Sequence, residues 1–67
     1  MSVAKVVELS STSEKSFEDA IVQGLARASR TIENIRCAWV KEQHVDVENG
    51  RVKNYRVNMQ VTFVMKE

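Results

Sequence analysis

From Tyr55 to Met65 every second residue is apolar, and from Asn54 to Thr62 the residues between them are polar. A period of two is typical of a β-strand with one buried face and one face toward water, because successive side chains of a strand point to opposite faces. The chain must therefore build a sheet with one apolar face, and another element has to cover that face.

A second strand is predicted over roughly Ile35 to Glu48, joined to the first by Asn49 and Gly50. Asn-Gly is the strongest short hairpin signal, because both residues accept the positive φ of a tight turn. This strand is less cleanly patterned than the last one. Strict alternation places Cys37, Trp39, Lys41, Gln43 and Val45 on one side and Ala38, Val40, Glu42 and His44 on the other.

The middle of the chain has helical periodicity. Apolar residues recur there at spacings of three and four, namely Phe17, Ala20, Ile21, Leu25, Ala28 and Ile32. Ser13 is the predicted N-cap, because its hydroxyl can accept a hydrogen bond from a free backbone N–H of the first turn. Ser16 with Asp19 offers an alternative capping box one turn later.

Residues Ala4 to Leu9 are rich in β-branched side chains, which predicts a first strand, and the cluster Ser10–Ser13 predicts a turn. We therefore predict an α+β fold in the order β-α-β-β, with a three-stranded antiparallel sheet packed on one helix in a single domain, residues 1–67.

Gly24 lies in the apolar stripe of the helix, where a glycine costs about 1 kcal/mol relative to alanine. Close approach of the helix to the sheet is the expected reason.

The chain is short for a domain that is stable alone. A 67-residue chain buries only about 60% of its surface, and small proteins usually compensate with disulfides, a structural metal or assembly. One cysteine excludes an internal disulfide, and one cysteine with one histidine falls short of a four-ligand zinc site. A single helix also covers only one face of three strands, so we expect a symmetric homo-oligomer.

Composition excludes several kinds of partner. The net charge is +1 with 28% charged residues, so the chain has no basic field suited to nucleic acid. It has no run of about 18 apolar residues, so no membrane span is expected. The segment Met1–Lys5 lacks the apolar core of a signal peptide, and the single thiol fits a reducing compartment. The expected location is the cytoplasm.

Residues that commonly carry catalysis are few. His44 has no serine nearby, and a lone cysteine such as Cys37 is more often a small buried or interface residue than a nucleophile. We therefore expect a binding protein and not an enzyme.

Carboxylates are scattered over the predicted strands, at Glu8, Glu42, Asp46 and Glu48. Repeated around a symmetry axis, one such carboxylate becomes a ring that can hold a divalent cation such as calcium.

Trp39 is the side chain that most needs an explanation. Alternation places it on the sheet face away from the helix, where an exposed indole is unfavourable in water. It can pack in an interface between copies of the chain, or it can stack on a flat aromatic ligand. The two roles are compatible when the ligand lies at such an interface.

The chain resembles the dodecins, a family of small β-α-β-β flavin-binding proteins. The resemblance covers nearly the whole chain and rests on Lys5–Leu9, Thr12–Ser13, Ala20–Ile21, Ala26–Ala28, Thr31–Ile32 and Val57–Phe63. It implies a hollow homododecamer with sheets inward and helices outward. In flavin-binding members, flavin rings stack between tryptophans of symmetry-related chains, and a glutamine of the last strand bonds to the ring edge. The flavin is quenched and stored without turnover.

Two positions depart from the family pattern. The stacking tryptophan of the family falls on Cys37, and Trp39 follows two residues later, displaced by about 6.6 Å along the strand. The glutamine position falls on Arg56, which offers only donors. Glu42 matches an acidic residue that contacts the ribityl chain in the family. Cys37, Trp39, Glu42 and Arg56 are therefore the candidate ligand-binding residues, for riboflavin or FMN, for another small ligand or ion, or for a shell without ligand.

Overall fold

Three strands and one helix make up the computed structural model, which describes residues 3–65. The elements are β1 (Ala4–Ser13), α1 (Phe17–Ala28), β2 (Ile35–Glu48) and β3 (Arg51–Val64). The sheet has the order β1-β3-β2 with both pairs antiparallel, which confirms the predicted β-α-β-β fold. Residues 1–2 and 66–67 of the predicted 1–67 domain lie outside the residues that the structure describes.

The apolar row of β3 forms the core, as its alternation predicts. Val57, Met59 and Val61 are buried against α1, where Ala20 is fully buried. The helix packs on β1 and β3, and the ring of Phe17 meets that of Tyr55 edge-on at 5.1 Å. Among residues 3–65 no helix is long and apolar enough to cross a membrane.

The start of the helix corrects the predicted cap. Ser16, not Ser13, is the N-cap: its Oγ accepts from the backbone N–H of Asp19 at 2.9 Å. The Ser13 hydroxyl instead accepts from the Lys15 N–H at 2.9 Å and donates to the Asp19 carboxylate at 2.6 Å. Ser13 is buried at the end of β1, which runs four residues beyond the predicted Leu9 because the serines pair with β3.

The helix also ends earlier than its apolar series. It stops at Ala28 and a turn over residues 29–31 follows; the backbone N–H of Ile32, beyond this turn, still bonds to the Ala28 carbonyl at 2.9 Å. The chain then reverses at Asn34, whose φ of 63° lies in the left-handed region that asparagine tolerates. Ile32 kept the helical spacing without belonging to the helix.

The Asn49-Gly50 hairpin is confirmed. Both residues have positive φ, 53° and 74°, as a tight two-residue turn requires. The last strand begins directly after it at Arg51, before the alternating run becomes visible in the sequence.

A β-bulge at Lys41 overturns the predicted faces of β2. The register shifts between Val40, which pairs with Met59, and Glu42, which pairs with Asn58. An extra residue in one strand reverses the alternation beyond it. Strict alternation separated Glu42 and His44 from Trp39, whereas the structure places all three on the face away from the helix. Gln43 and Val45 move to the helix side, opposite Val57 and Tyr55.

Gly24 sits where the helix approaches the sheet most closely. A Cβ added there would lie 2.8 Å from Met59 Cε and 2.9 Å from Ser11 Cβ. The Ser11 side chain cannot move away freely, because its hydroxyl donates to the Ala20 carbonyl at 2.7 Å. The expected reason for this glycine is thereby supported.

We predict that Gly24→Ala destabilises the protein. The helix-propensity gain of about 1 kcal/mol is outweighed by overpacking, which typically costs about 1–3 kcal/mol. At fixed protein concentration the Tm should fall by about 4–8 °C, measured by circular dichroism. Gln23→Ala, an exposed neighbour on the same helix, is the control. An unchanged or higher Tm for Gly24→Ala would show that the contact relaxes freely.

Candidate functional site

The sheet face that α1 does not cover is the candidate site, and we call it the open face. Side chains that pair across neighbouring strands share a face, so the register defines its members. They alternate with the buried row of β3 and its partners, and comprise Val6, Glu8, Ser10 and Thr12 of β1, Cys37, Trp39, Glu42, His44 and Asp46 of β2, and Asn54, Arg56, Asn58, Gln60 and Thr62 of β3.

Trp39 is the large aromatic side chain of this face. It is 47% exposed and lies opposite Gln60 on β3. Cys37 precedes it on the same face, opposite Thr62, and is an exposed free thiol. The predicted shared face of Cys37 and Trp39 is thereby confirmed. An indole with half its surface in water beside an amide can stack on a planar ring while the amide bonds to the ring edge.

Arg56 is held by an ion pair across the sheet. Its Nη2 lies 2.8 Å from Asp46 Oδ2, and Asn54 Nδ2 reaches the same oxygen at 3.4 Å. The hydrogen bond from Arg56 is the main reason that the pKa of Asp46 lies below its ordinary value. The Nε of Arg56 is buried and has no partner among the described residues.

A second ion pair follows from the bulge. Lys41 Nζ lies 3.1 Å from Glu8 Oε1, so the lysine spans β3 on the open face. The hydrogen bond and the charge of Lys41, with a smaller contribution from Gln60, hold the pKa of Glu8 below its ordinary value. Both partners are about half exposed, so the pair positions side chains more than it stabilises the fold.

Glu42 differs from the other two acids of the open face. Its Oε1 accepts from Asn58 Nδ2 at 2.8 Å, and this partner carries no charge. Glu42 and Trp39 lie opposite Asn58 and Gln60, which are two residues apart on β3. The backbone positions of Glu42 and Trp39 are therefore about 6.6 Å apart along the sheet.

The four predicted ligand-binding residues, Cys37, Trp39, Glu42 and Arg56, thus lie on one face. Sequence reasoning missed the partners on β3 that complete the site, Asn58 and Gln60, although their polar positions in the alternating run placed them on this face. It also missed Lys41, because no residue type in β2 signals the bulge. Among residues 3–65 no group of three acidic, histidine or cysteine side chains is placed to hold a metal ion.

The open face is not enclosed within a single chain. A groove of about 370 Å³ lies between β1 and α1, and another of about 450 Å³ lies where Asn34 meets the end of β3. Neither is lined by Trp39, Glu42 or Arg56. A ligand on these residues would be covered on its second side only by another copy of the chain.

The fold and this face define a class of small proteins in which one helix backs a three-stranded sheet and the other sheet face is left open. The family model described as Dodecin matches residues 3–66. The chain therefore belongs to the dodecin family.

The relatives of this chain include a calcium dodecin and a dodecin. Calcium dodecin of Mycobacterium tuberculosis is 36% identical over 66 residues, which covers 98% of this chain and 93% of the relative. Dodecin of Thermus thermophilus is 40% identical over 65 residues, which covers 97% of this chain and 94% of the relative.

Solved structures agree with the fold. A Thermus thermophilus protein superimposes with a TM-score of 0.95 at 39% identity, over 100% of this chain and 98% of that one. Dodecin from Streptomyces davaonensis gives 0.94 at 29% identity, over 98% and 97%. Calcium dodecin, whose crystal structure has a novel calcium-binding site, gives 0.83 at 35% identity, over 96% and 91%.

We predict that the Arg56–Asp46 pair makes stability depend on acid pH. The pKa of Asp46 is lower in the folded chain than its ordinary value of 3.8, so the pair stabilises the fold above that pH and the effect is lost as pH falls below it. Asp46→Asn should flatten the fall of Tm between about pH 5 and pH 2. Arg56→Gln removes the other partner and should flatten the same region. Full retention of the wild-type slope in Asp46→Asn would contradict this assignment.

Proposed function

We propose that the protein forms a homo-oligomeric shell, a homododecamer, whose open faces bind and store a planar aromatic ligand of the flavin type, riboflavin or FMN. The observation that carries the proposal is Trp39, half exposed on a sheet face that the chain's own helix leaves bare and surrounded there by hydrogen-bonding side chains. Membership of the dodecin family supports the proposal.

Self-association follows from what one chain leaves uncovered. Its core is small, since Val57, Met59, Val61, Ala20 and Ala28 are its buried apolar residues among residues 3–65. The strand order leaves β1 and β2 as edges whose outer backbone groups lack a partner within the sheet. Copies of the chain can cover both the edges and the open face, which is why assembly favours the fold.

Trp39 supplies the stacking surface and the amides supply polarity. An aromatic pair contributes about 0.5–1.5 kcal/mol beyond the area it buries. Gln60, opposite Trp39, has both a donor and an acceptor, as the edge of a flavin ring requires. Cys37, at the family's usual tryptophan position, offers much less area, so the ring would sit about 6.6 Å further along the strand than in that pattern.

Storage without turnover suits the groups on this face. Stacking on an indole quenches an excited flavin, and the carboxylates of the open face bond to Lys41, Arg56 and Asn58 instead of activating a nucleophile. We propose that the protein acts as a binding protein in the cytoplasm, with copies of itself as its partners.

Calcium is the second candidate ligand, favoured by the similarity to calcium dodecin and by three carboxylates on the open face. Glu42 is the best placed of the three, because its Oε1 bonds to a neutral amide while Glu8 and Asp46 are engaged by cations. One carboxylate per chain is too few for calcium, which takes six to eight oxygens, so several copies would have to contribute.

We predict that Trp39→Ala weakens flavin binding at least tenfold, because the loss of a stacked aromatic surface costs about 1.4 kcal/mol or more. The measurement is quenching of riboflavin emission on titration with protein. Trp39→Phe, which keeps a ring, should retain part of the affinity. Val40→Ala is the matched control, since Val40 is the next residue and points to the helix side.

Native mass spectrometry of each variant verifies that assembly is preserved. Twelve chains of 7.6 kDa give about 91 kDa, 12 × 7.6. Full riboflavin emission at excess wild-type protein would sink the flavin proposal, and a monomer at micromolar concentration would sink the shell.

For the calcium candidate we predict that EDTA lowers the Tm of the wild-type assembly and that added calcium restores it, because an ion bound only to the folded state stabilises it. Glu42→Gln should remove this dependence, and Glu48→Gln, at the hairpin tip, should retain it. An assembly whose Tm ignores both EDTA and calcium, and which contains no metal by elemental analysis, would eliminate this candidate.

A further inference from the structure

We propose that the open face selects an uncharged planar ligand over one that carries a phosphate, and that Glu42 is the residue that sets this preference. The inference rests on the proposed function and specifies its ligand: a flavin with a neutral polyhydroxyl chain, such as riboflavin, and not its phosphorylated form.

The charges of the open face provide the first argument. Its two permanent cations are Lys41 and Arg56, and each is engaged by a carboxylate, at 3.1 Å and 2.8 Å. Each pair is neutral as a unit, so it offers an anionic ligand little net attraction. Glu42 is the third acid, and its partner Asn58 is neutral. The open face of each chain therefore carries one uncompensated negative charge.

The position of Glu42 provides the second argument. Along the sheet Glu42 lies about 6.6 Å from Trp39, because its partner Asn58 lies two residues from Gln60 on β3. A chain of a few carbons attached to a ring on Trp39 spans that distance. The end of this chain, where a phosphate would be, therefore comes within the field of Glu42.

The chemistry of the two ligands then separates them. Hydroxyl groups can donate to the Glu42 carboxylate in charge-assisted hydrogen bonds. A phosphate monoester in place of the terminal hydroxyl carries a charge of about −1.5 to −2 near neutral pH, offers mainly acceptors, and is repelled by the carboxylate. At about 8 Å in water this repulsion corresponds to roughly fivefold weaker binding, and more where solvent is partly excluded.

The bulge at Lys41 is the structural origin of the effect. Without this register shift Lys41 would take the open-face position after Val40, and alternation would direct Glu42 to the helix side, so the open face would lack its unpaired acid. The preference is thus a property of the backbone of β2 as much as of one side chain, and sequence alternation alone assigns Glu42 to the wrong face.

The experiment compares riboflavin and FMN, which share the fluorescent ring. Each is titrated into the wild-type assembly and into Glu42→Gln and Glu48→Gln, and dissociation constants are taken from quenching of flavin emission at about 0.01 M and 1 M salt. Glutamine keeps the acceptor for Asn58 and removes the charge. Glu48 is a matched control, because it neutralises an acid of the same strand about 30 Å from Trp39, paired there with Lys53.

At low salt we expect wild type to bind riboflavin at least fivefold more tightly than FMN. The ratio should approach one in Glu42→Gln, persist in Glu48→Gln, and shrink for wild type at high salt. Equal or tighter binding of FMN by wild type, or a preference that survives Glu42→Gln, overturns the inference while leaving flavin storage intact. If wild type quenches neither flavin, the proposed function itself fails, and the preference falls with it.

Discussion

The structure depends on one packing contact, that of a single short helix on the apolar row of β3. Val57, Met59 and Val61 are buried because α1 lies over them, and Gly24 lets it come that close. A twelve-residue helix cannot cover three strands of which two have fourteen residues. The same contact that forms the core therefore leaves the opposite sheet face and both sheet edges available to other molecules, including further copies of the chain.

Polar side chains organise the face that the helix leaves bare. Cross-strand pairs connect the strands there: Lys41 with Glu8, Arg56 with Asp46, and Asn58 with Glu42. Exposed pairs of this kind contribute little to the free energy of folding. Their effect is to fix where charge and hydrogen-bonding capacity lie around Trp39, so they shape the electrostatics of the open face more than the stability of the fold.

Much of the fold could be predicted from the sequence, because two periodicities and one Asn-Gly pair are local signals. The boundaries were harder. Ser13 and Ser16 both have the chemistry of a cap; in the fold Ser16 accepts from the Asp19 N–H, while Ser13 bonds to the Asp19 carboxylate from the end of β1. Ile32 repeats the helical spacing from outside the helix. The faces of β2 could not be read correctly beyond Val40, since a bulge is decided by pairing with β3 and not by any residue of β2 alone.

The bulge also decides which side chains of β2 lie on the open face and which lie on the helix side. Among the described residues β2 has no buried side chain, and Ile35 and Ala38, which pack against the core, both precede the bulge, so the pattern beyond Val40 can slide without disturbing the row on β3. Moving the extra residue by a few positions would present a different set of acids and bases next to the indole. In a sheet of this kind the ligand preference of the open face can change while the hydrophobic core stays the same.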